Sequence, residues 1–415
     1  MRDTKRVTTR QAAIRFGAGL STRKSGLAAT QYALDEALGP LDGAIPDLAF
    51  LFVAPQFEDE LGSIVESANA SLGGGTLLGC VAGGVIGGDR EVEDAPAVAA
   101  WAGILPGVTV RPFTLTYSEE EEHGVFDGLE EVPTRAPDSV LVMLADPYTF
   151  PAHLLLDHLN EHAPGLPIVG GMASGGIVAG RTRLMYDDEI LADGAVGAIL
   201  EGAHGATAVV SQGCRPVGET FAITRAERNI VFELGGQPAV KRIEELYATA
   251  TERDQLLMRR GLHVGQATNE LKAELGRGDF VIRNLVGIDR DKGAIAISDM
   301  AEVGQTIQFQ VRDAESARED LRATLDTQRI TPVAAALLFS CNGRGLGLFG
   351  QPDHDIGALR GAFGDIPVAG FFAAGELGPV GGRNFVHGFT ASMLLFRDGS
   401  KPRRNGESQT VGRIS

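Results

Sequence analysis

The sequence predicts an α/β protein: two domains of mixed sheets built from degenerate β-α-β-β repeats with glycine-rich loops. Three observations lead there. Short apolar runs alternate with helix-periodic segments in three successive units of the 415-residue chain. Many of the 55 glycines cluster just after those runs, which marks tight turns at strand ends rather than a flexible linker. Between the second and third units the pattern changes to the apolar–polar alternation of an antiparallel meander.

The chain starts with a short apolar stretch over Ala12 to Leu20, and Leu27 to Leu38 follows as an amphipathic helix. Asp47 to Pro55 is apolar throughout and bounded by proline, as a buried strand would be. Glu58 to Ala70 places Leu61, Ile64, Val65 and Ala68 on one helix face, and Thr76 to Cys80 begins the next strand. That strand opens into the glycine loop of residues 79–88. Val140 to Leu144, Ala152 to Glu161 and Leu166 to Val169 repeat the order and open into the loop 170–176. Ala335 to Phe339, Ile356 to Phe363 and Ile366 to Ala369 repeat it again, opening into 370–378. A further apolar strand follows each loop, at Ala97 to Leu105, Gly194 to Leu200 and Gly388 to Phe396. Repeats of this kind predict duplicated domains whose loops face one another across a pseudo-symmetric cleft.

In the middle, Thr207 to Val210, Phe221 to Thr224 and Ile230 to Leu234 read as strands, and Pro238 to Met258 as one long helix. Phe280 to Gly287, Ala294 to Ser298 and Gln305 to Val311 read as the meander, and Ala314 to Asp326 as a charged helix. The expected division is a lead-in over 1–39, one α/β domain over 40–235, a second over 236–397, and a disordered tail over 398–415.

A net charge of −17 repels phosphate backbones, so nucleic acid is excluded as a partner. Cysteines stand only at 80, 214 and 341, with no zinc-ligand spacing, which suits a reducing compartment. No apolar run is long enough for a membrane span, and the basic N-terminus lacks the apolar core of a signal peptide. The expected location is the cytoplasm. Glu119 to His123 (EEEEH) reads as an exposed acidic loop rather than a metal site, because hard-metal sites alternate their ligands.

LLFSCNGRGLGLFG (337–350) and PVAGFFAAGELGPVGGRNFVHGFTA (367–391) resemble the C-terminal FIST domain, as do the segments 212–239 and 286–313. LLGCVAGGVIGG (77–88) and the 139–180 region resemble the N-terminal FIST domain. The resemblance covers about residues 40 to 396. It implies a sensory protein in intracellular signal transduction that binds a small ligand, with an amino acid the usual suggestion. Some relatives are haem-binding nitric-oxide sensors, which makes haem the alternative cofactor to none. The sequence holds no recognisable output module, so the signal is expected to pass to a separate partner protein, such as a kinase or other regulator.

The candidate ligand-binding residues are Arg344, Glu376, Asn342, Cys341, His387 and Gly375. Arg344 offers a planar fork that matches a carboxylate, and Glu376 could accept hydrogen bonds from an ammonium group. Together they have the charge pattern a zwitterion needs; the alternative is that the two pair with each other. Cys341 could act as a nucleophile if His387 or His354 served as base, giving an enzyme reading that uses Cys341 or Glu376. The plainer reading of Cys341 and Cys80 is a small core residue. His387 is a polar wall of the cleft, an axial haem ligand, or a capped structural histidine. His153, His158 and His162 read as a surface cluster with no metal set.

Overall fold

The computed structural model describes residues 13–120, 123–129, 132, 138–270, 272, 274–276 and 278–397. The expected disordered tail, Glu121 and Glu122 lie outside them. The α/β architecture is the one the sequence predicts, and three units share one path through it.

The first unit runs through a lead-in strand Arg15–Ser21, helix Gly26–Leu38, strand Leu48–Val53, helix Leu61–Leu72 and strand Thr76–Val81. A hairpin (Gly84–Gly87 and Arg90–Glu93) and a return strand Val98–Ile104 complete it. The second unit has its lead-in strand at Thr109–Glu120, strand Val140–Ala145, helix Ala152–His162 and strand Ile168–Met172. Its hairpin is Leu184–Tyr186 with Glu189–Leu191, and its return strand Ala195–Glu201. The third unit begins at Ala206–Gln212 and resumes with helix Ala314–Thr327, strand Val333–Cys341, helix His354–Phe363 and strand Val368–Ala373. Its hairpin is Glu376–Val380 with Arg383–His387, and its return strand Thr390–Arg397.

Each unit is therefore β-α-β-hairpin-β rather than β-α-β-β. The hairpins escape a search for apolar runs because their strands are short, and the outer strand of the first is largely polar (Arg90-Glu91-Val92-Glu93). They also leave their own sheets. The first unit's hairpin adds to the third unit's sheet, pairing Val85 to Gly87 with Ala369 to Phe371. The third unit's hairpin adds to the second unit's sheet, where Leu377 opposes Gly170. The second unit's hairpin closes the circle on the first, with Leu184 opposite Cys80. Three mixed sheets are thus locked by a cyclic exchange of strands.

The glycine loops do not stand apart across a cleft; they interlock where the chain crosses between sheets. Ser174 Oγ accepts from Gly83 N at 2.9 Å and donates to the carbonyl of Phe372, pinning all three loops together. The first glycine of each loop also has a common cause. At Gly79, Gly170 and Gly370 a Cβ would fall on a carbonyl oxygen of the adjacent parallel strand, that of Leu51, Met143 and Leu338 respectively. Only glycine allows that backbone approach.

The inner faces of the three sheets share one core, in which Phe52, Trp101, Leu144, Phe339 and Phe371 meet. Burying side chains of this size contributes about 1.5–3 kcal/mol each. Helices cover the outer faces: Leu34 and Ile64 on the first sheet, Leu155 and Leu159 on the second, Leu321 and Leu359 on the third.

A seven-stranded antiparallel sheet is inserted between the lead-in strand and helix of the third unit. Its strands are Cys214–Glu227, Ile230–Leu234, Gln237–Pro238, Leu262–Ala267, Phe280–Asp289, Ala294–Ile297 and Thr306–Arg312. Two sequence expectations are corrected here. Thr306–Arg312 does not follow Ala294–Ile297 in a meander; it pairs with Leu262–Ala267, which in turn pairs with Phe280–Asp289. The long helix is two, Ala239–Thr249 and Glu252–Arg260, because Ala250 is extended and Thr251 caps the second by accepting from Asp254 N.

Candidate functional site

The parallel strands Val333–Cys341 and Val368–Ala373 end side by side, with Cys341 opposite Ala373. The residues singled out from the sequence sit at that edge, under the inserted sheet. They divide into a buried charged cluster and the wall of a cleft.

Arg344 is fully buried and makes a two-pronged ion pair with Asp355, Nε to Oδ2 at 2.7 Å and Nη2 to Oδ1 at 2.8 Å. It pairs with Asp355, not Glu376. Its Nη1 donates to the Phe389 carbonyl at 3.4 Å. Burial alone would raise the Asp355 pKa, but the Arg344 guanidinium, aided by His354 and Ser340, holds the carboxyl well below the usual range. Glu91, from the first unit's exchanged hairpin, accepts from Asp355 N and Ile356 N at 2.8 Å each and so caps the helix that carries Asp355. Burial, and then the Asp355 charge, push the Glu91 pKa up to about 8 despite those bonds.

Glu376 is also fully buried. Its Oε2 accepts from Thr390 N at 3.0 Å and Thr390 Oγ1 at 2.8 Å, while its Oε1 has no hydrogen-bond partner. Burial pushes its pKa up to about 8, against the Thr390 bonds and the Arg344 charge. The Cys341 thiol lies beside this carboxyl. Cys341 Sγ accepts from Gly343 N at 3.4 Å, and the Phe389 N–H points to it as well. Neither histidine considered as its base serves it. His354 Nδ1 is 2.8 Å from Asp355 Oδ1 with its ring on Phe349, and His387 Nε2 is 2.9 Å from the Gly378 carbonyl. Asn342 is exposed, and its N–H donates to Ala373 O at 2.9 Å.

Gly375 and His387 face the other way, into a cleft of about 660 Å3 between the inserted sheet and the second and third units. One wall is Met172, His153, Gly375 and His387; the other is Ile282, Arg283, Asn284, Ser298 and Asp299. Phe389 also lines it, and a second cavity of about 660 Å3 adjoins it through His153, Arg283 and Asp299. Arg283 links the walls, with Nε 2.6 Å from Asp299 Oδ2 and Nη1 donating to Val386 O at 2.7 Å. Asp157 borders the adjoining cavity with a pKa raised by burial. Burial pushes the His387 pKa down to about 4, so the ring is neutral and Nε2 carries the proton given to Gly378. That ring offers no free Nε2 to a haem iron, and no step is assigned to that group.

Of the three histidines expected to form a surface cluster, His158 and His162 stack at the surface with rings 4.1 Å apart, whereas His153 lines the cleft. Among the described residues, no group of His, Cys, Asp and Glu could hold a metal ion. Nor is any helix among them long and apolar enough to cross a membrane. Asp355, Glu91, Thr390, Arg283 and Asp299 were not anticipated as site residues. Asp355 was findable, since an acid at the start of the helix after C-N-G-R-G faces back toward that loop; Arg283 and Asp299 depend on how the inserted sheet docks.

Fold and site together define an α/β protein of three interlocked units, with an inserted antiparallel sheet roofing a polar cleft. The FIST N domain model matches residues 47–237 and the FIST C domain model residues 239–379. The chain belongs to the FIST family, whose domains are associated with sensing in signal transduction. It is 42% identical over 388 residues to an uncharacterised protein of Mycobacterium tuberculosis, covering 93% of this chain and all of that protein. An uncharacterised protein of Mycobacterium bovis is 40% identical over 388 residues, covering 93% of this chain and 99% of its own length.

Proposed function

We propose that this protein is an intracellular sensor that binds a small zwitterion, of amino-acid type, in the cleft between the inserted sheet and the second and third units. The observation that carries the reading is the lining of that cleft. The Arg283 guanidinium and the Asp299 carboxylate stand on one wall, with His153 facing them and Asn284 and Ser298 between. A ligand carboxylate would meet the edge of Arg283 and His153, and an ammonium group would meet Asp299. Met172, Ile282, Val386 and Phe389 supply apolar surface for a side chain. Gly375 keeps the wall open, since a Cβ there would meet Met172 Cγ and Val386 Cγ1 at 3.2 Å.

Arg344 and Cys341 contact the Phe389 backbone and Glu376 the neighbouring Thr390, so these residues act on the ligand through that segment, while Asn342 stands outside the cleft lining. Closing the cleft moves the inserted sheet against the third unit, and a separate partner protein reads that movement. Thermal-shift measurements against the proteinogenic amino acids, simple amines and phosphorylated metabolites test the ligand class. An amino acid should raise the midpoint through mass action, and Asp299→Asn should remove the shift. A shift with phosphorylated metabolites alone would overturn the zwitterion reading.

A further inference from the structure

Two cavities of about 660 Å3 each meet beside the inserted sheet, joined at His153, Arg283, Asp299, Met300 and Val386. Pockets of roughly 300–1,000 Å3 enclose drug-sized ligands, so an amino acid with a short side chain uses only the first of them. The two differ in charge. In the cleft, Arg283 and Asp299 stand at the junction and pair with each other at 2.6 Å. The second cavity adds Asp157 from the second unit's helix, Glu302 from a loop of the inserted sheet and Arg383 from the third unit's hairpin. Among the described residues, none of these three side chains makes a hydrogen bond or an ion pair. Three carboxylates thus face two guanidiniums there, one cation short of balance.

Given the zwitterion reading of the cleft, on which this rests, we propose that the ligand is a basic amino acid. Its side chain runs through the junction into the second cavity and places an ammonium or guanidinium group between Asp157 and Glu302. These two acids come from opposite walls, so both can reach one cation. The length fits. His153 stands at the junction, and Asp157 follows it one turn further along the same helix face, about 6 Å along the axis. The four-carbon stem of a lysine-type side chain covers such a distance, whereas a side chain of one or two atoms ends at the junction. Met300 and Val386 at the junction, and Leu154 one turn before Asp157, give that stem an apolar path up to its charged end. Burial raises the Asp157 pKa against the pull of Arg383, so its carboxylate gains from a second cation. An acidic side chain would meet two like charges in the same place.

Isothermal titration calorimetry of the full chain with lysine, arginine, norleucine and citrulline tests this, since the last two keep the shape and drop the charge. Lysine or arginine should bind at least about tenfold tighter than its neutral counterpart, the worth of a hydrogen bond to a charged group. Asp157 and Glu302 are exposed, so the double variant Asp157→Asn, Glu302→Gln should fold as the wild type does and lose that preference. Equal affinities for the charged and neutral members, or a preference unchanged in the double variant, would overturn the basic-ligand assignment and leave the zwitterion reading standing. Binding by none of the four overturns it as well, and the wider amino-acid screen then decides the zwitterion reading separately.

Discussion

At the residue scale, the Arg344–Asp355 ion pair dominates the buried charge of the site. Both are buried, and removing one partner leaves an uncompensated charge. Arg344→Met or Asp355→Asn should therefore cost about 3–5 kcal/mol, read from the urea midpoint. Their pairing also sets an acid limit. Asp355 is held below its unfolded pKa of about 4, so its contribution is present above that pH and lost as pH falls beneath it. Glu376 acts in the opposite sense. Its folded pKa is raised to about 8, so the folded protein keeps a proton that the unfolded chain has already released. Stability from this group falls as pH rises from about 4.3 to about 8. The melting midpoint of Glu376→Gln should fall less than wild type across that window; an identical fall would show that Glu376 is ionised throughout. Arg344 and Glu376 were legible as important residues in the sequence because charges are rare in glycine loops. Their partners were not, because Asp355 and Thr390 are ordinary polar residues until the fold brings them in.

At the scale of elements, the repeated strand–helix–strand order was readable because buried strands and amphipathic helices leave different periodicities. The exchanged hairpins were not, because their strands are only three to five residues long and pair with a foreign sheet. Glu91 illustrates this: from sequence it is one acid in a polar run, yet it caps a helix more than 260 residues away in sequence. Glycine at the first loop position was legible as a turn signal, but its cause is the neighbouring strand's carbonyl. Gly370→Ala should therefore destabilise by about 2–4 kcal/mol, measured by chemical denaturation, whereas Gly347→Ala, with open space around it, should be near neutral. Comparable losses at both positions would contradict the close-approach argument.

At the scale of the whole molecule, the cyclic exchange ties the two family-matched regions into one cooperative structure. The first sheet is completed within residues 13–237, but the second lacks its outer hairpin without Glu376–His387. Residues 84–93 would in turn lose the sheet they pair with. The fragment 13–237 expressed alone should give no sharp unfolding transition by circular dichroism, whereas the full chain should give one. Two regions were readable in the sequence as two α/β segments of different periodicity. Their interlocking was not, since nothing local records which sheet a short strand joins.

The cleft between the inserted sheet and the second and third units exists only in that assembled whole, and it is the proposed ligand site. Hydrogen-exchange mass spectrometry, with and without an amino acid that shifts the melting midpoint, tests this most directly. Protection should appear together in residues 282–300 and 374–389, on the two walls, with the outer helices unchanged. Protection confined to other surfaces, or absent from both walls at saturating ligand, would contradict it.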